Sequence, residues 1–370
     1  MEQGRKYRAV AIYNMDHKQY DDKSRPRVQR RPPENPMEVV VGDVHHMDVL
    51  LSRPDGSTFT PKIVAWLDWA TSRIFTCPVF LKKGEGIRQE HVVEAFIAMV
   101  KDKRWGMPQT LYLDNGTEYY WTDLINNAQK LNDQIRIENL DTNKTIKQKL
   151  KARRSSIINA KPYNASAKVI EGTFGFLERI IFSTFPGHIG GNRTNKKTAN
   201  VGKLPAPYTA GENQFRRDLA VGIEYYETYP QYGFLKGKSP RQVFTDAVAK
   251  GWQRMDIDHE RLPWAFTRPE KRTISQGGFS YKSRRYTGPE IERLQAGTSI
   301  IVHVPICGGI EELPVHTADG VFCRATVDIF YDASDTNGAR EASRRQRANK
   351  QAITEMKRDV VDIDMLEDQR

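Results

Sequence analysis

Between residues 37 and 83 three apolar, β-branched runs follow one another with only short polar turns between them: MEVVVGDVHHMDVLLS (37–52), FTPKIVAWLDWA (59–70) and SRIFTCPVFLKK (72–83). Such runs are strands, and strands joined by tight turns pair antiparallel with one another. The pattern then changes. HVVEAFIAMVKDKRW (91–105) sets Val92, Phe96, Ile97 and Val100 at helical spacing, and TLYLDN (110–115) reads as a short buried strand. YYWTDLINNAQKLND then reads as helix and QIRIENL as a fifth strand. NASAKVIEGTFGFLERIIFSTF (164–185) is a long helix that Asn164 or Ser166 can cap. The order β-β-β-α-β-α-β-α predicts an α/β fold with a mixed five-stranded sheet flanked by helices. GENQFRRDLAVGIEYYETYP (211–230) adds a helix stopped by Pro230.

The remainder is of a different kind. Residues 1–36 lack sustained periodicity and end in the Pro- and Arg-rich SRPRVQRRPPENP (24–36), which predicts a basic linker or arm. Residues 270–332 are short alternating segments punctuated by Gly277-Gly278, Gly308-Gly309 and Asp319-Gly320, the pattern of a small β-barrel. The expected domains are therefore 1–36, 37–250, a barrel at 265–335 and a basic helical tail at 336–370. In the tail Arg340, Arg344, Arg345, Arg347 and Lys350 cluster.

Charge narrows the partner. The chain carries 57 Lys plus Arg against 46 Asp plus Glu, a net +11, which favours a polyanion over a small neutral ligand. The excess is localised. From Thr142 to Gly211 there are thirteen basic residues, among them Lys161, Lys168, Arg179, Arg193, Lys196 and Lys197, and only two acids, Glu171 and Glu178. A helix made soluble by its surface alone interleaves both signs, because like charges one turn apart repel. With a mean hydropathy of −0.64, no apolar run approaches the ~20 residues that span a bilayer, and the N-terminus lacks the apolar core of a signal peptide. A cytoplasmic protein with no membrane partner is expected. Cys77, Cys307 and Cys323 form no CxxC pair and no even disulfide framework. GKSP at 237–240 lacks the glycine spacing of a phosphate-binding loop.

Two aspartates stand where a carboxylate is costly. Asp43 sits inside VVVGDVHH and Asp114 at the end of LYLDN, so each should be paired, protonated or holding a metal. Neighbouring first and fourth strands would set them side by side. Glu171 is the only acid between Thr142 and Glu178. Each acid alone has a plain alternative: a strand-end cap for Asp43, an Asp-Asn-Gly turn for Asp114, an ordinary helix acid for Glu171. Together they form an oxygen-donor set suited to Mg²⁺ or Mn²⁺. His45, His46 and Asp48 make an HHxD cluster, yet strand alternation puts His45 and not His46 on the face of Asp43, as a neighbour of that site.

The stretches GDVHHMDVLL, LYLDNGTEYYW and NASAKVIEGTFGFLE resemble the catalytic core of the DDE recombinases, which have a ribonuclease H-like fold, and most closely the transposases of the bacteriophage Mu type. The separations of 71 residues (43 to 114) and 57 residues (114 to 171) fit that branch. YETYPQYGFLKGKSPRQVF is similar to its closing helical region, and the likeness covers most of 37–350. LDWATSRIF is similar to the corner between the second and third strands, which makes Asp68 a turn residue. The resemblance implies a polynucleotidyl transferase that cleaves donor DNA to expose a 3′-hydroxyl and joins that hydroxyl to target DNA. Asp43, Asp114 and Glu171 would hold two Mg²⁺ or Mn²⁺ ions. Lys161, Lys168, Arg179, Arg193, Lys196, Lys197, Arg344 and Arg345 would contact DNA. It further implies a homo-oligomer on transposon ends and target, a target-selecting ATPase partner and a nucleoid-associated place in a bacterial cell. Thirty-six residues ahead of the core are too few for the end-recognition domains of such relatives, so the expectation is either a truncated core or end recognition elsewhere. A metal-dependent nuclease of the same fold and a non-enzymatic DNA-binding protein are the alternative readings.

Overall fold

The computed structural model describes residues 6–7, 10, 12–14, 31–113, 158–159, 169–190, 205–256, 262, 266–317, 320, 322–332 and 334–367. The chain divides into two compact units, Met1–His259 and Glu260–Arg370. Among the described residues no helix is long and apolar enough to cross a membrane.

The first unit is built on strands β1 (Val40–His46), β2 (Leu51–Ser52), β3 (Thr58–Phe59), β4 (Lys62–Asp68), β5 (Ile74–Val79), β6 (Leu111–Leu113) and β7 (Ile158–Asn159). Five of them form one sheet in the order β5-β4-β1-β6-β7. β4 is antiparallel to β1 and to β5, whereas β6 is parallel to β1 and β7 to β6. The sheet is therefore mixed and the fold α/β, as the element order predicts. The run 37–52 is not one strand. It breaks after His46, and Leu51–Ser52 pairs with Thr58–Phe59 in a separate hairpin. The fifth strand of the described sheet is Ile158–Asn159, and the segments 119–133 and 134–140 lie outside the described residues.

Helices cover both faces. α1 (Gln89–Lys101) packs on β4 and β5, with Phe96 edge-on to Trp66 at 5.4 Å between ring centroids. On the opposite face lie α2 (Val169–Phe176), continued by a π-turn (Leu177–Ile181) and a 3-10 turn (Phe182–Thr184), and α3 (Gly211–Thr228). Ile170, Phe174, Leu177 and Ile181 recur at helical spacing and are buried with Val41, Ile63, Ala65 and Leu67 of the sheet and Phe215, Leu219 and Tyr226 of α3. α4 (Pro240–Ala249) starts at a capping box of Ser239 and Gln242. The arm does not end freely: Pro36 accepts a hydrogen bond from the Trp252 indole at 2.9 Å.

The second unit is a six-stranded antiparallel sheet: β8 (Thr267–Thr273), β9 (Phe279–Tyr281), β10 (Arg284–Thr287), β11 (Ser299–Pro305), β12 (Glu312–His316) and β13 (Phe322–Val327), in the order β8-β11-β12-β13-β10-β9. The edge strands β8 and β9 touch without pairing, so the barrel expected at 265–335 is nearly closed. Its core holds Phe279, Tyr286, Ile300, Val302, Leu313, Val315 and Ala325. The tail contains one long helix, α5 (Thr336–Glu367).

Candidate active site

Asp43 occupies the centre of β1, a strand that pairs with β4 on one side and β6 on the other. Its register partner on β4 is Ala65, and on the other side the parallel register runs from Val40 opposite Leu111 to Gly42 opposite Leu113. The described part of β6 stops one residue short of Asp114, which lies outside the described residues. Alternation puts Val41, Asp43 and His45 on one face, beside Leu67, Ala65 and Ile63. Val41 closes the core, and Asp43 is half-buried where that core opens. One Asp43 carboxylate oxygen accepts the backbone N–H of Val44 at 2.8 Å.

The helix that carries Glu171 crosses this face. α2 packs against β1, and Glu171 lies in its first turn, exposed, between the buried Ile170 and Phe174. Asp43 and Glu171 thus come from a strand and a helix that meet on one side of the sheet. The His45 ring stacks on Phe174 with centroids 4.3 Å apart and planes 17° apart, and its Nε2 lies 2.8 Å from Oε1 of Glu178. The second oxygen of Glu178 is 3.8 Å from Nε2 of the buried His188. His46 points elsewhere, to Thr60 at 2.9 Å and Asp48 at 3.9 Å, so the HHxD cluster is not one site. Sequence reading passed over Glu178. Its signal was the spacing of seven residues from Glu171, which sets both acids on one side of a helix.

Asp68 is a corner residue. It is 2% exposed at the end of β4 and accepts hydrogen bonds from Met37 N at 3.1 Å, Ala70 N at 3.3 Å and Thr71 Oγ1 at 2.5 Å. Burial pushes its carboxyl up to about 6 against those three bonds, which favour the anion. The same corner holds Arg73, buried and paired with Glu227 of α3 at 3.3 Å, with its guanidinium 4.2 Å from the Phe244 ring centroid and 4.7 Å from that of Trp105. Tyr226 donates to Ser72 O at 2.8 Å. These contacts brace the sheet edge and reach no candidate ligand.

Of the cations expected on DNA, Lys161, Lys168, Arg193, Lys196 and Lys197 lie outside the described residues. Arg179 is exposed, two turns beyond Glu171. Arg344 and Arg345 have carboxylate partners. Arg344 donates to Glu292 Oε2 at 2.8 Å and to Glu341, while Arg345 holds Asp328 at 2.7 Å and Glu341 at 2.9 Å. Glu341 is one helical turn away in sequence, whereas Glu292 was invisible to a local reading because it lies 52 residues from Arg344.

Asp43 and Glu171 are hard oxygen donors of the kind that suits Mg²⁺ or Mn²⁺. Among the described residues no three His, Cys, Asp or Glu side chains converge as a metal site; Asp114 is not among those residues.

No family model and no curated protein sequence matches the chain. Among solved structures it is similar to a chain of the simian T-cell lymphotropic virus intasome in complex with a PP2A regulatory subunit. That match has 13% identity and a TM-score of 0.35, covering 83% of this chain and 84% of that one. It is also similar to the HTLV-2 integrase catalytic core domain in complex with magnesium in its dimeric form, at 14% identity and TM-score 0.28, covering 57% of this chain and 97% of that one. The trimeric form gives 12% and 0.28.

Proposed function

We propose that the chain is a DDE-type polynucleotidyl transferase with a ribonuclease H-like catalytic domain over 37–250, acting as a DNA transposase of the bacteriophage Mu kind. The observation that carries this reading is the placement of Asp43 at mid-strand on the face crossed by the helix of Glu171, with the neighbouring parallel strand β6 leading directly into Asp114. Two divalent ions bound by such carboxylates would stabilise the attacking and leaving oxygens of an in-line phosphoryl displacement. Asp43 supplies an oxygen pair from a strand hydrogen-bonded on both sides, so its position is fixed before any ligand arrives. Glu171 supplies a second from an exposed helical turn that DNA can reach. The cations of 142–211 would grip the phosphate backbone beside them.

Water is the nucleophile in the first step and leaves a 3′-hydroxyl; that hydroxyl is the nucleophile in the second, displacing a 3′ oxygen of the target strand. Double-stranded DNA, as transposon ends and target, is the substrate. Further parts of the proposal are a homo-oligomer assembled on DNA, a target-selecting ATPase partner and a nucleoid-associated, cytoplasmic location in a bacterial cell.

The test is substitution. Asp43→Asn, Asp114→Asn and Glu171→Gln should each lower Mg²⁺-dependent nicking of plasmid DNA by at least ~10³-fold, with plasmid binding in a gel-shift assay retained. An Asp114→Asn protein that still cuts would remove Asp114 from the site.

A further inference from the structure

A ring stack and a hydrogen bond, both made by His45, join the strand of Asp43 to the helix of Glu171. His45 lies two residues beyond Asp43 on the same face of β1. Its ring stacks on Phe174, three residues after Glu171, and bonds Glu178, seven residues after Glu171. The helix thus meets His45 one turn and two turns beyond the acid. Further along, Val49 forms a bridge with His188, and His188 faces the other oxygen of Glu178. The strand and the helix therefore advance in the same sense, so Asp43 lies on the Glu171 side of the His45 contact, ~7 Å up the strand from His45.

A carboxylate only accepts, so Nε2 of His45 carries the hydrogen of the 2.8 Å bond. The pair is 23% and 21% exposed, sheltered enough that solvent screening does not erase it, as it does for pairs on open surface. Stacking alone would let the helix slide along the ring; the hydrogen bond fixes its register as well. Glu178 stands in the π-turn Leu177–Ile181, where the helix widens, a local departure that recurs at functional sites.

We propose, on the reading of Asp43 and Glu171 as metal ligands, that Glu178 and His45 are positioning residues. They clamp α2 to β1 and so set the separation of the two carboxylates for the ion they share. Groups that orient metal ligands typically cost ~10–100-fold in metal affinity when removed.

The test is Mn²⁺ binding to the full chain without DNA, followed by loss of the free-ion electron paramagnetic resonance signal. Unfolding temperatures of the metal-free proteins are recorded alongside. Glu178→Ala should weaken Mn²⁺ binding ~10–100-fold. His45→Phe keeps a ring on Phe174 and deletes the donor, and it should do the same. The double variant should be no weaker than the weaker single one, because both act through one bond, and Glu178→Gln should recover part of the affinity. Mn²⁺ bound by Glu178→Ala and His45→Phe as tightly as by the wild type, whatever their unfolding temperatures, overturns the clamp. If in the same titration Asp43→Asn also binds like the wild type, or the wild type binds no Mn²⁺, the metal-site reading itself is wrong and the clamp falls with it.

Discussion

At the scale of single residues, Asp43, the proposed ligand, and Asp68, a corner residue, differ in how far they are enclosed. Both lie in apolar strands of the same sheet. Asp68 is fully enclosed, with two backbone N–H groups and a hydroxyl turned on it, whereas Asp43 is half-buried. The fate of Asp68 has a consequence for stability. Its folded-state value of about 6 exceeds that of a free aspartate near 4, so between those values the native protein holds a proton that the unfolded chain has released. Asp68 therefore contributes stability that is full below pH ~4 and lost as pH rises through 6, on the order of 3 kcal/mol. Urea unfolding across that range should show the loss in the wild type and its absence in Asp68→Asn. A wild-type slope unchanged by the substitution would mean that Asp68 is ionised when buried. The role of Asp68 as a corner residue was legible in LDWATSRIF. Its proton was not, because only the packed fold supplies the burial.

Among the elements, those with a strong local period were legible and those without were not. Three apolar runs and two amphipathic segments announce β1, β4, β5, α1 and α3 within a few residues. β7 is a two-residue strand, too short to carry any alternation, and the π-turn leaves no composition signal. The pair His45 and Glu178 spans 133 residues, so no local pattern could join them, although the spacing of Glu171 and Glu178 was there to be noticed. α2 and α3 also approach closely for a readable reason. A methyl group added at Gly222 of α3 would run into Cγ2 of Ile181, in the π-turn after α2. Gly222→Ala should cost about 1–3 kcal/mol in thermal or urea unfolding, as overpacking does; no loss would show that Ile181 has room to turn aside. In the second unit, Glu292 is 5% exposed beneath Arg344 and Arg345. Glu292→Gln should speed amide hydrogen exchange over residues 340–350 by at least ~tenfold, equivalent to ~1.4 kcal/mol. Unchanged exchange would mean that apolar contacts such as the buried Ala352 hold the helix.

For the molecule as a whole, the charge of 142–211 equals the net +11 of the chain, and this basic stretch flanks Glu171 in sequence. The tail arginines, by contrast, are partly spent within their own unit, so the proposed DNA contact rests more on Arg179 and the lysines of that stretch. A protein that grips phosphate in this way should bind DNA less tightly as salt rises, by a slope near 0.9 per phosphate neutralised. Binding alone does not separate a transposase from a nuclease or a passive DNA-binding protein. Joining does. The most direct measurement offers the full chain an oligonucleotide duplex with a free 3′-hydroxyl, plasmid DNA as target and Mg²⁺, and looks for oligonucleotide covalently attached to plasmid. The wild type should give branched products and Glu171→Gln none, with equal DNA binding by both. Plasmid nicking without any attached oligonucleotide, or products undiminished by Glu171→Gln, would contradict the account.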